Sequence, residues 1–113
     1  MPEPVIICLH QPALELAEKV ASLCDGEVHG LQSRVNTIPE TFEKTKEHLQ
    51  ELFQKGHPLV GICSSGILIR SLADVLSDKH TEPPVLAVAE DGSCVIPLLG
   101  GHHGANELAR KIA

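Results

Sequence analysis

The sequence has few aromatic residues: Phe42 and Phe53 are the only two among 113 residues, and Trp and Tyr are absent. Basic residues are also scarce, and the formal net charge is −6. Nucleic-acid-binding surfaces combine clustered Lys and Arg with stacking aromatics, so we expect no nucleic-acid partner. The core must be built from aliphatic side chains. A local pocket lined by backbone amides or a cation can still bind an anionic small molecule.

Long apolar runs are also missing, since none approaches the about 18 residues that a membrane-spanning helix needs. The first four residues, MPEP, lack the basic region that opens a secretion signal. We therefore expect no membrane partner and a cytoplasmic location. The cysteines show no CxxC spacing, so we expect reduced thiols packed in the core rather than disulfides or metal ligands. They are Cys8, Cys24, Cys63 and Cys94.

Three unbroken apolar runs predict strands that are buried on both faces. Helical patterns separate them, which favours parallel strands joined by right-handed crossovers. Asp91-Gly92 is typical of a hairpin turn. The sequence thus predicts an α/β fold: three layers, with a mostly parallel four- to five-stranded sheet in the order 2-1-3-4, helices on both faces and an edge hairpin. The strands are expected near residues 5–9, 27–29, 59–63 and 85–89, with the hairpin strand near 94–96.

Helix boundaries are predicted from capping residues. Thr37 and Glu40 have the spacing of a capping box, and glycine commonly ends a helix. Helices are expected from Pro12 to Gly26, from Thr37 to Gly56, roughly from residue 67 to 76, and from Ala105 or Asn106 onward. We expect one α/β domain over residues 1–113, forming the N-terminal part of a longer protein.

The loop Cys63-Ser64-Ser65-Gly66 stands between a predicted buried strand and a helix. In open parallel sheets, ligands bind beyond the carboxyl ends of the strands. The start of the helix offers free N–H groups for a carboxylate or phosphate, the serines offer hydroxyls, and Arg70 lies about one turn further on. The alternative is structural: a capped helix whose glycine allows close packing.

The segment at residues 100–106, GGHHGAN, is the second candidate. Its glycines allow the backbone to approach a ligand or to form unusual turns. His102 and His103 can act as acid, base or anion partner. They could also bind zinc, but no Cys or carboxylate stands beside them at ligand spacing. A purely structural turn is an equal alternative to a functional loop.

The other histidines carry less information. His48 and His57 fall at a helix surface and a helix end, where solvated histidine is ordinary. His10 and His29 fall near strand ends, where they could line a cleft.

Residues 61–70 (GICSSGILIR) and 95–109 (VIPLLGGHHGANELA) resemble the N-terminal domain of cobalt-precorrin-5A hydrolases. That family usually has Ser-Gly-His-x-Gly-Gly-Ala-Asn in the second stretch. Here Gly100 replaces the Ser, and one Gly is missing between His103 and Ala105. With residues 78–79, 82–88 and 90–92, this variant is more similar to the related domain fused ahead of precorrin-3B C(17)-methyltransferase.

The resemblance implies cobalamin biosynthesis and an anionic tetrapyrrole intermediate as ligand. The hydrolase opens a ring-fused lactone and releases acetaldehyde. The fused methyltransferase uses S-adenosylmethionine, which would belong to the parent protein, because these residues contain no methyltransferase domain and we expect no cofactor or metal here. The implied catalytic residue is His102. The implied substrate-binding residues are Ser64, Ser65, Gly66, Arg70, Gly101, His103 and Asn106.

Two alternatives to substrate processing remain: a non-catalytic domain that docks onto an adjacent domain of the parent protein, and an α/β module without ligand. The geometry of the two loops is also open. If the strand near 94–96 runs backwards, the His102 loop leaves the sheet at the edge opposite Ser64. Otherwise residues 97–99 cross back and both loops share one site.

Overall fold

The computed structural model describes residues 2–76, 82–100 and 104–113. These residues form six strands and four α-helices. The strands are β1 (Val5–Cys8), β2 (Glu27–Leu31), β3 (Thr41–Phe42), β4 (Leu59–Ile62), β5 (Val85–Val88) and β6 (Val95–Leu99). The helices are α1 (Leu14–Cys24), α2 (Thr45–Gln54), α3 (Ser65–Leu72) and α4 (Ala105–Ile112). Short 3-10 turns, Gln11–Ala13 and Ala73–Val75, precede α1 and follow α3.

The strands form a single sheet in the order β3-β2-β1-β4-β5-β6. Every pairing is parallel except that of β5 with β6. The predicted order and the edge hairpin are therefore confirmed, and β3 adds one strand at the far edge. The sequence does not reveal β3, because two residues are too few for an apolar run. Pairing of Gly30 and Leu31 with Thr41 and Phe42 creates it.

The predicted three layers are confirmed because side chains alternate across the sheet. Ile6 and Cys8 of β1 face the core that α1 and α4 cover. Val5 and Ile7 face the core that α2 and α3 cover. All residues of β1, β4 and β5 are buried. Each fully buried aliphatic side chain contributes about 1.5–3 kcal/mol, so these three strands hold the two helix layers together.

The hairpin between β5 and β6 forms at Asp91-Gly92, as predicted. Gly92 has φ +77°, and its N–H donates to the Ala89 carbonyl at 2.8 Å. The N–H of Ser93 donates to Asp91 Oδ1 at 2.9 Å, and the Ser93 hydroxyl and N–H hold the pKa of Asp91 below its usual value. β6 is an edge strand, where Pro97 is tolerated because no further strand needs its N–H.

Two predicted helix boundaries were wrong, the start of α2 and the end of α3. α2 begins at Thr45 rather than Thr37, and the Thr37 hydroxyl accepts a hydrogen bond from Gln11 Nε2 at 3.3 Å instead of capping a helix. The pairing of β3 with β2 overrides the capping-box pattern. α3 ends at Leu72 and is followed by the 3-10 turn, so the helix is shorter than expected.

The first and last helices lie close to their predicted positions. Pro12 lies in the 3-10 turn before α1, and α1 closes with Asp25 in the left-handed region while the N–H of Gly26 donates to the Ala21 carbonyl. α4 begins at Ala105. Among the residues that the structure describes, no helix has the length and apolarity needed to cross a membrane.

All four cysteines are free thiols, as expected. Cys8, Cys24 and Cys63 are buried, but Cys94 is exposed, so its expected place in the core was wrong. The reason is its position in the hairpin turn, directly before β6.

Candidate functional site

A cleft of about 400 Å³ opens at the carboxyl ends of the central strands. The sheet order reverses between β1, which continues to β2, and β4, which continues to β5. The connections after β1 and β4 therefore leave toward opposite faces and create a crevice between them. We call it the switch-point cleft. Its walls are formed by Leu9, His10, Leu31, Arg34, Ile62, Cys63, Ser64, Ile67 and Glu90.

Ser64 stands at the cleft wall as the residue that precedes α3. Its backbone is extended, and its carbonyl accepts the N–H of Ile67 at 3.2 Å. In the described part of the chain the Ser64 hydroxyl caps no backbone N–H of the helix. Ser65 and Gly66 form the first turn of α3, whose leading N–H groups have no partners within the helix. The predicted loop thus delivers a hydroxyl and a helix N-terminus to this cleft.

Arg34 supplies a guanidinium group that sequence reasoning missed. It follows β2, which runs to Leu31, two residues beyond the predicted end of that strand. The N–H groups of Arg34 and Val35 donate to the Leu31 carbonyl at 2.9 and 2.7 Å, which turns the chain back and sets Arg34 at the cleft. Extending the strand prediction by two residues would have placed Arg34 at the carboxyl edge.

His10 and Glu90 meet across the mouth of the cleft, with His10 Nε2 in contact with Glu90 Oε2. His10 follows β1 and Glu90 follows β5, so the parallel strands bring together residues that are 80 positions apart. The possibility that His10 lines a cleft is confirmed. Below this pair, burial and the nearby Glu90 raise the pKa of the Cys63 thiol to about 11. The Cys63 thiol therefore stays protonated near neutral pH, as expected of a packed core thiol.

Arg70 lies apart from the cleft. It is an exposed residue in the last turn of α3, and it is not among the residues that line the switch-point cleft. The helix runs away from the strand ends, so a residue five positions after Ser65 is carried away from the carboxyl edge.

The described ends of the second predicted loop, Gly100 and Gly104, lie at the other edge of the sheet, where the parallel strands begin. β6 runs antiparallel to β5 and pairs Leu99 with Val85, the first residue of β5. Residues 97–99 therefore do not cross back. Gly100 packs against the backbone of Pro84, and Gly104 with Pro58 and Pro84 borders a separate cleft of about 380 Å³.

Asn106 is exposed in the first turn of α4 beside this second cleft, and Gly101, His102 and His103 lie outside the described residues. We call the second cleft the opposite-edge cleft. Its charged lining residues are Glu3, Asp25, Glu107 and Lys111. Three carboxylates against one ammonium make it a poor place for an anion.

The predictions for two further histidines were wrong: His29 was expected near a strand end, and His48 was expected to be solvated on a helix surface. His29 lies inside β2, and His48 is half-buried rather than solvated, stacked on Phe42 with ring centroids 4.5 Å apart. The two rings contact each other, with 2.8 Å between His29 Nδ1 and His48 Nε2. Burial and the neighbouring His29 lower the pKa of His48, which favours its neutral form.

The fold and the cleft point to one class of protein: a doubly wound, mostly parallel α/β domain with a cleft at its switch point. A family model described as "Cobalamin synthesis G N-terminal" matches residues 47–113. The chain belongs to this family, and its process is cobalamin biosynthesis.

Individual relatives agree with the family. A cobalt-precorrin-5A hydrolase from Priestia megaterium is 42% identical over 66 residues, which are 58% of this chain and 18% of that protein. One from Salmonella typhimurium LT2 is 45% identical over 56 residues, 49% of this chain and 16% of that protein. The chain thus spans less than a fifth of the length of the curated relatives it matches.

A solved structure shares the fold. The crystal structure of a cobalamin biosynthesis protein G homolog from Sulfolobus solfataricus aligns with a TM-score of 0.68 and 22% identity. The alignment covers 97% of this chain and 33% of that one. It therefore extends the shared architecture to the first 46 residues, including β1, β2 and β3, which the family model does not match.

Proposed function

We propose that this chain is the N-terminal domain of a corrin-ring-processing enzyme and binds an anionic tetrapyrrole intermediate at the switch-point cleft. The observation that carries the proposal is the combination of Arg34, the Ser64 hydroxyl and the start of α3 around one cavity. Tetrapyrroles of this pathway bear many acetate and propionate groups. A guanidinium and a helix N-terminus are the groups that bind carboxylates well.

The size of the cleft limits what it holds. A cavity of about 400 Å³ is at the small end of ligand pockets. It accommodates one edge of a tetrapyrrole with its carboxylate arms, and the rest of the ring would lie outside this domain. The apolar walls formed by Leu9, Leu31 and Ile67 suit the flat macrocycle edge.

Charge favours this cleft over the opposite-edge cleft. Glu90 is the carboxylate in its lining and is in contact with His10, and Arg34 adds a positive charge. Arg34 thus balances the one carboxylate that lines this cleft. The opposite-edge cleft has a local excess of carboxylates, so the first contact of a polyanion is expected at the switch point.

Two parent chemistries follow from different observations. The curated relatives are named cobalt-precorrin-5A hydrolases, which supports a lactone-opening hydrolase. The Gly at position 100 and the missing glycine before Ala105 support the form fused to precorrin-3B C(17)-methyltransferase, in which S-adenosylmethionine would bind the adjacent domain. In either parent we propose His102 as the catalytic acid or base and Gly101, His103 and Asn106 as its neighbours in substrate binding, on the resemblance alone.

The test is calorimetric titration of a polycarboxylate corrinoid, cobyrinic acid, into the wild type and matched arginine variants. Arg34→Ala should weaken binding about tenfold or more, because a lost charge-assisted hydrogen bond corresponds to at least one decade in Kd. Arg110→Ala, an exposed arginine on α4, makes the same charge change away from the cleft and should leave Kd unchanged. Melting temperatures should be equal in all three, since both side chains are exposed.

Two further variants assign the remaining residues. Arg70→Ala weakens binding only if the ligand extends along α3, as the sequence indicated. His102→Ala weakens it about tenfold only if the glycine-rich loop also reaches the ligand. Equal binding by Arg34→Ala and wild type would reject the switch-point cleft. Wild-type protein that does not bind the corrinoid at all would favour the non-catalytic docking domain.

A further inference from the structure

A second group of chemically active side chains gathers where β2 meets α2, apart from the residues that line the switch-point cleft. It consists of Glu27, His29, Glu40 and His48, which we call the histidine–glutamate cluster. Glu27 and His29 are two positions apart in β2, so both point to the face that α2 covers. His29 is registered with Ile7 of β1, whose side chain belongs to the same core.

Backbone hydrogen bonding between β2 and the segment before β3 brings Glu40 beside His29. The N–H of Gly30 donates to the Glu40 carbonyl at 3.0 Å, and Gly30 is then registered with Thr41. Glu40 is thereby fixed beside His29 although 11 positions separate them. Ligand atoms of Glu27, His29 and Glu40 lie within 4.8 Å of one another. The arrangement depends on β3, the strand that the sequence did not reveal.

His48 holds the imidazole of His29 in one orientation. His29 Nδ1 lies 2.8 Å from His48 Nε2, while His29 Nε2 lies 3.2 Å from Glu27 Oε1. His48 is itself fixed by its stacking on Phe42, with ring planes 9° apart. The imidazole of His29 therefore presents Nε2 to the Glu27 carboxylate, while Nδ1 contacts His48. This is the arrangement of metal-binding histidines, whose second nitrogen bonds to a neighbouring group that fixes the ring.

We propose that Glu27, His29 and Glu40 bind one divalent transition-metal ion of the Zn²⁺ type, with His48 as the positioning residue. In the metal-bound form His29 Nδ1–H donates to His48 Nε2, and the lone pair of Nε2 faces the ion. One imidazole nitrogen and two carboxylate oxygens suit Zn²⁺ or Mn²⁺ better than Mg²⁺, which prefers oxygen ligands and its own waters. Three protein ligands leave a coordination position for water.

Only a small movement completes the site. Tetrahedral zinc with bonds of about 2.0–2.2 Å needs its ligand atoms roughly 3.3 Å apart, somewhat closer than the limit of 4.8 Å observed here. Glu40 is exposed, so core packing does not hold its side chain away from the other two ligands. No local motif indicates this site, because the ligands follow no CxxC or HxxxH spacing and Glu40 comes from the segment just before β3.

The test is titration of ZnCl₂ into the whole chain, carried out in a Cys94→Ser background because an exposed thiol competes for zinc. We expect one site with a Kd of about 10 µM or below. Glu40→Gln should weaken zinc binding at least tenfold without affecting folding, since Glu40 is exposed. His48→Ala should weaken it about 10- to 100-fold, the usual effect of a group that orients a ligand. An excess of Mg²⁺ should not displace the zinc.

Control variants separate this site from other sources of zinc affinity. Glu43→Gln removes an equivalent exposed carboxylate and should bind zinc like the wild type. The double variant His102→Ala, His103→Ala removes the adjacent histidine pair and should also retain binding. The inference is overturned if Glu40→Gln and His48→Ala bind zinc normally, if the double variant loses binding instead, if Mg²⁺ displaces the zinc, or if no stoichiometric zinc binding occurs.

Discussion

The sheet has one edge at the carboxyl ends of its parallel strands and an opposite edge at their amino ends. These two edges receive their residues by different routes. At the switch-point edge, parallel strands end side by side, so residues after β1, β2, β4 and β5 converge on one cleft. At the opposite edge, the antiparallel β6 returns the chain to the start of β5, where Gly100 meets Pro84 and α4 begins. The edges are roughly 13 Å apart, the length of a four-residue strand.

Two loops that are rich in glycine, serine or histidine therefore need not belong to one site. Ser64 and Gly104 each directly precede a helix, but a single reversal of strand direction separates them. A ligand that contacts residues at both edges must extend around the sheet. Otherwise the second set of contacts must come from a second copy of the chain or from another domain. The switch-point edge has Arg34 for an anion, while the charged residues at the opposite edge are three carboxylates and one lysine.

The largest effect is expected from Gly100→Ala at the opposite edge. Gly100 has φ +81°, and a Cβ there would lie 2.5 Å from Pro84 Cα and 2.6 Å from its nitrogen. Left-handed strain and a clash with rigid backbone together should cost about 3 kcal/mol or more in the free energy of unfolding. Urea denaturation of variant and wild type measures this.

Gly104→Ala is the matched control for that experiment. Gly104 also has a left-handed backbone, with φ +94°, but a Cβ there meets nothing within 4 Å. Gly104→Ala should therefore lose only the conformational contribution, about 1–2 kcal/mol in the free energy of unfolding. Equal losses of unfolding free energy in the two variants would show that Gly100 does not pack on Pro84. The opposite edge would then lack the contact that we assign to it.

An intermediate effect is expected in thiol chemistry at the switch-point edge. Cys63 is buried with its pKa raised to about 11, whereas Cys94 is exposed in the nearby hairpin. Because the thiolate is the reacting form, Cys63 should be alkylated at least about 100-fold more slowly than Cys94 near pH 8. Peptide mapping after timed iodoacetamide labelling gives both rates. Rapid labelling of Cys63 in the native protein would mean that the floor of the switch-point cleft is open.

The smallest effect concerns Asp91, which fixes the hairpin beside the cleft. Its pKa is held below the usual value by the Ser93 hydroxyl and N–H, so the folded state favours the carboxylate. That contribution is present above about pH 3.8, the pKa of the unfolded chain, and is lost as the pH falls through the lower folded value. Asp91→Ala should lower Tm by no more than a few degrees at neutral pH.

The pH dependence supplies the control for Asp91. The Tm difference between Asp91→Ala and wild type should shrink on acidification below about pH 3.8, where the wild-type side chain becomes protonated. A constant difference down to pH 2–3 would assign the effect to turn geometry rather than to the charge of the carboxylate.

Several features of the fold were readable from local patterns. The runs that became β1, β4 and β5 are apolar and β-branched enough to predict burial, and Asp91-Gly92 predicted the hairpin. Right-handed crossovers then ordered the strands. The capping-box pattern at Thr37 and Glu40 misled because it competed with strand pairing, and β3 exists only through its partner β2.

The class of fold, the free thiols, the helix start after Ser64 and the resemblance to cobalamin-biosynthesis proteins were predictable from the sequence, because they depend on short-range patterns. Which side chains meet depends instead on the tertiary structure. It joined His10 to Glu90 across 80 positions, brought Arg34 to the cleft, assembled the histidine–glutamate cluster and placed Gly100 and Gly104 at the other edge. Strand direction and register fix such contacts, and they arise only when distant segments pair to bury a common core.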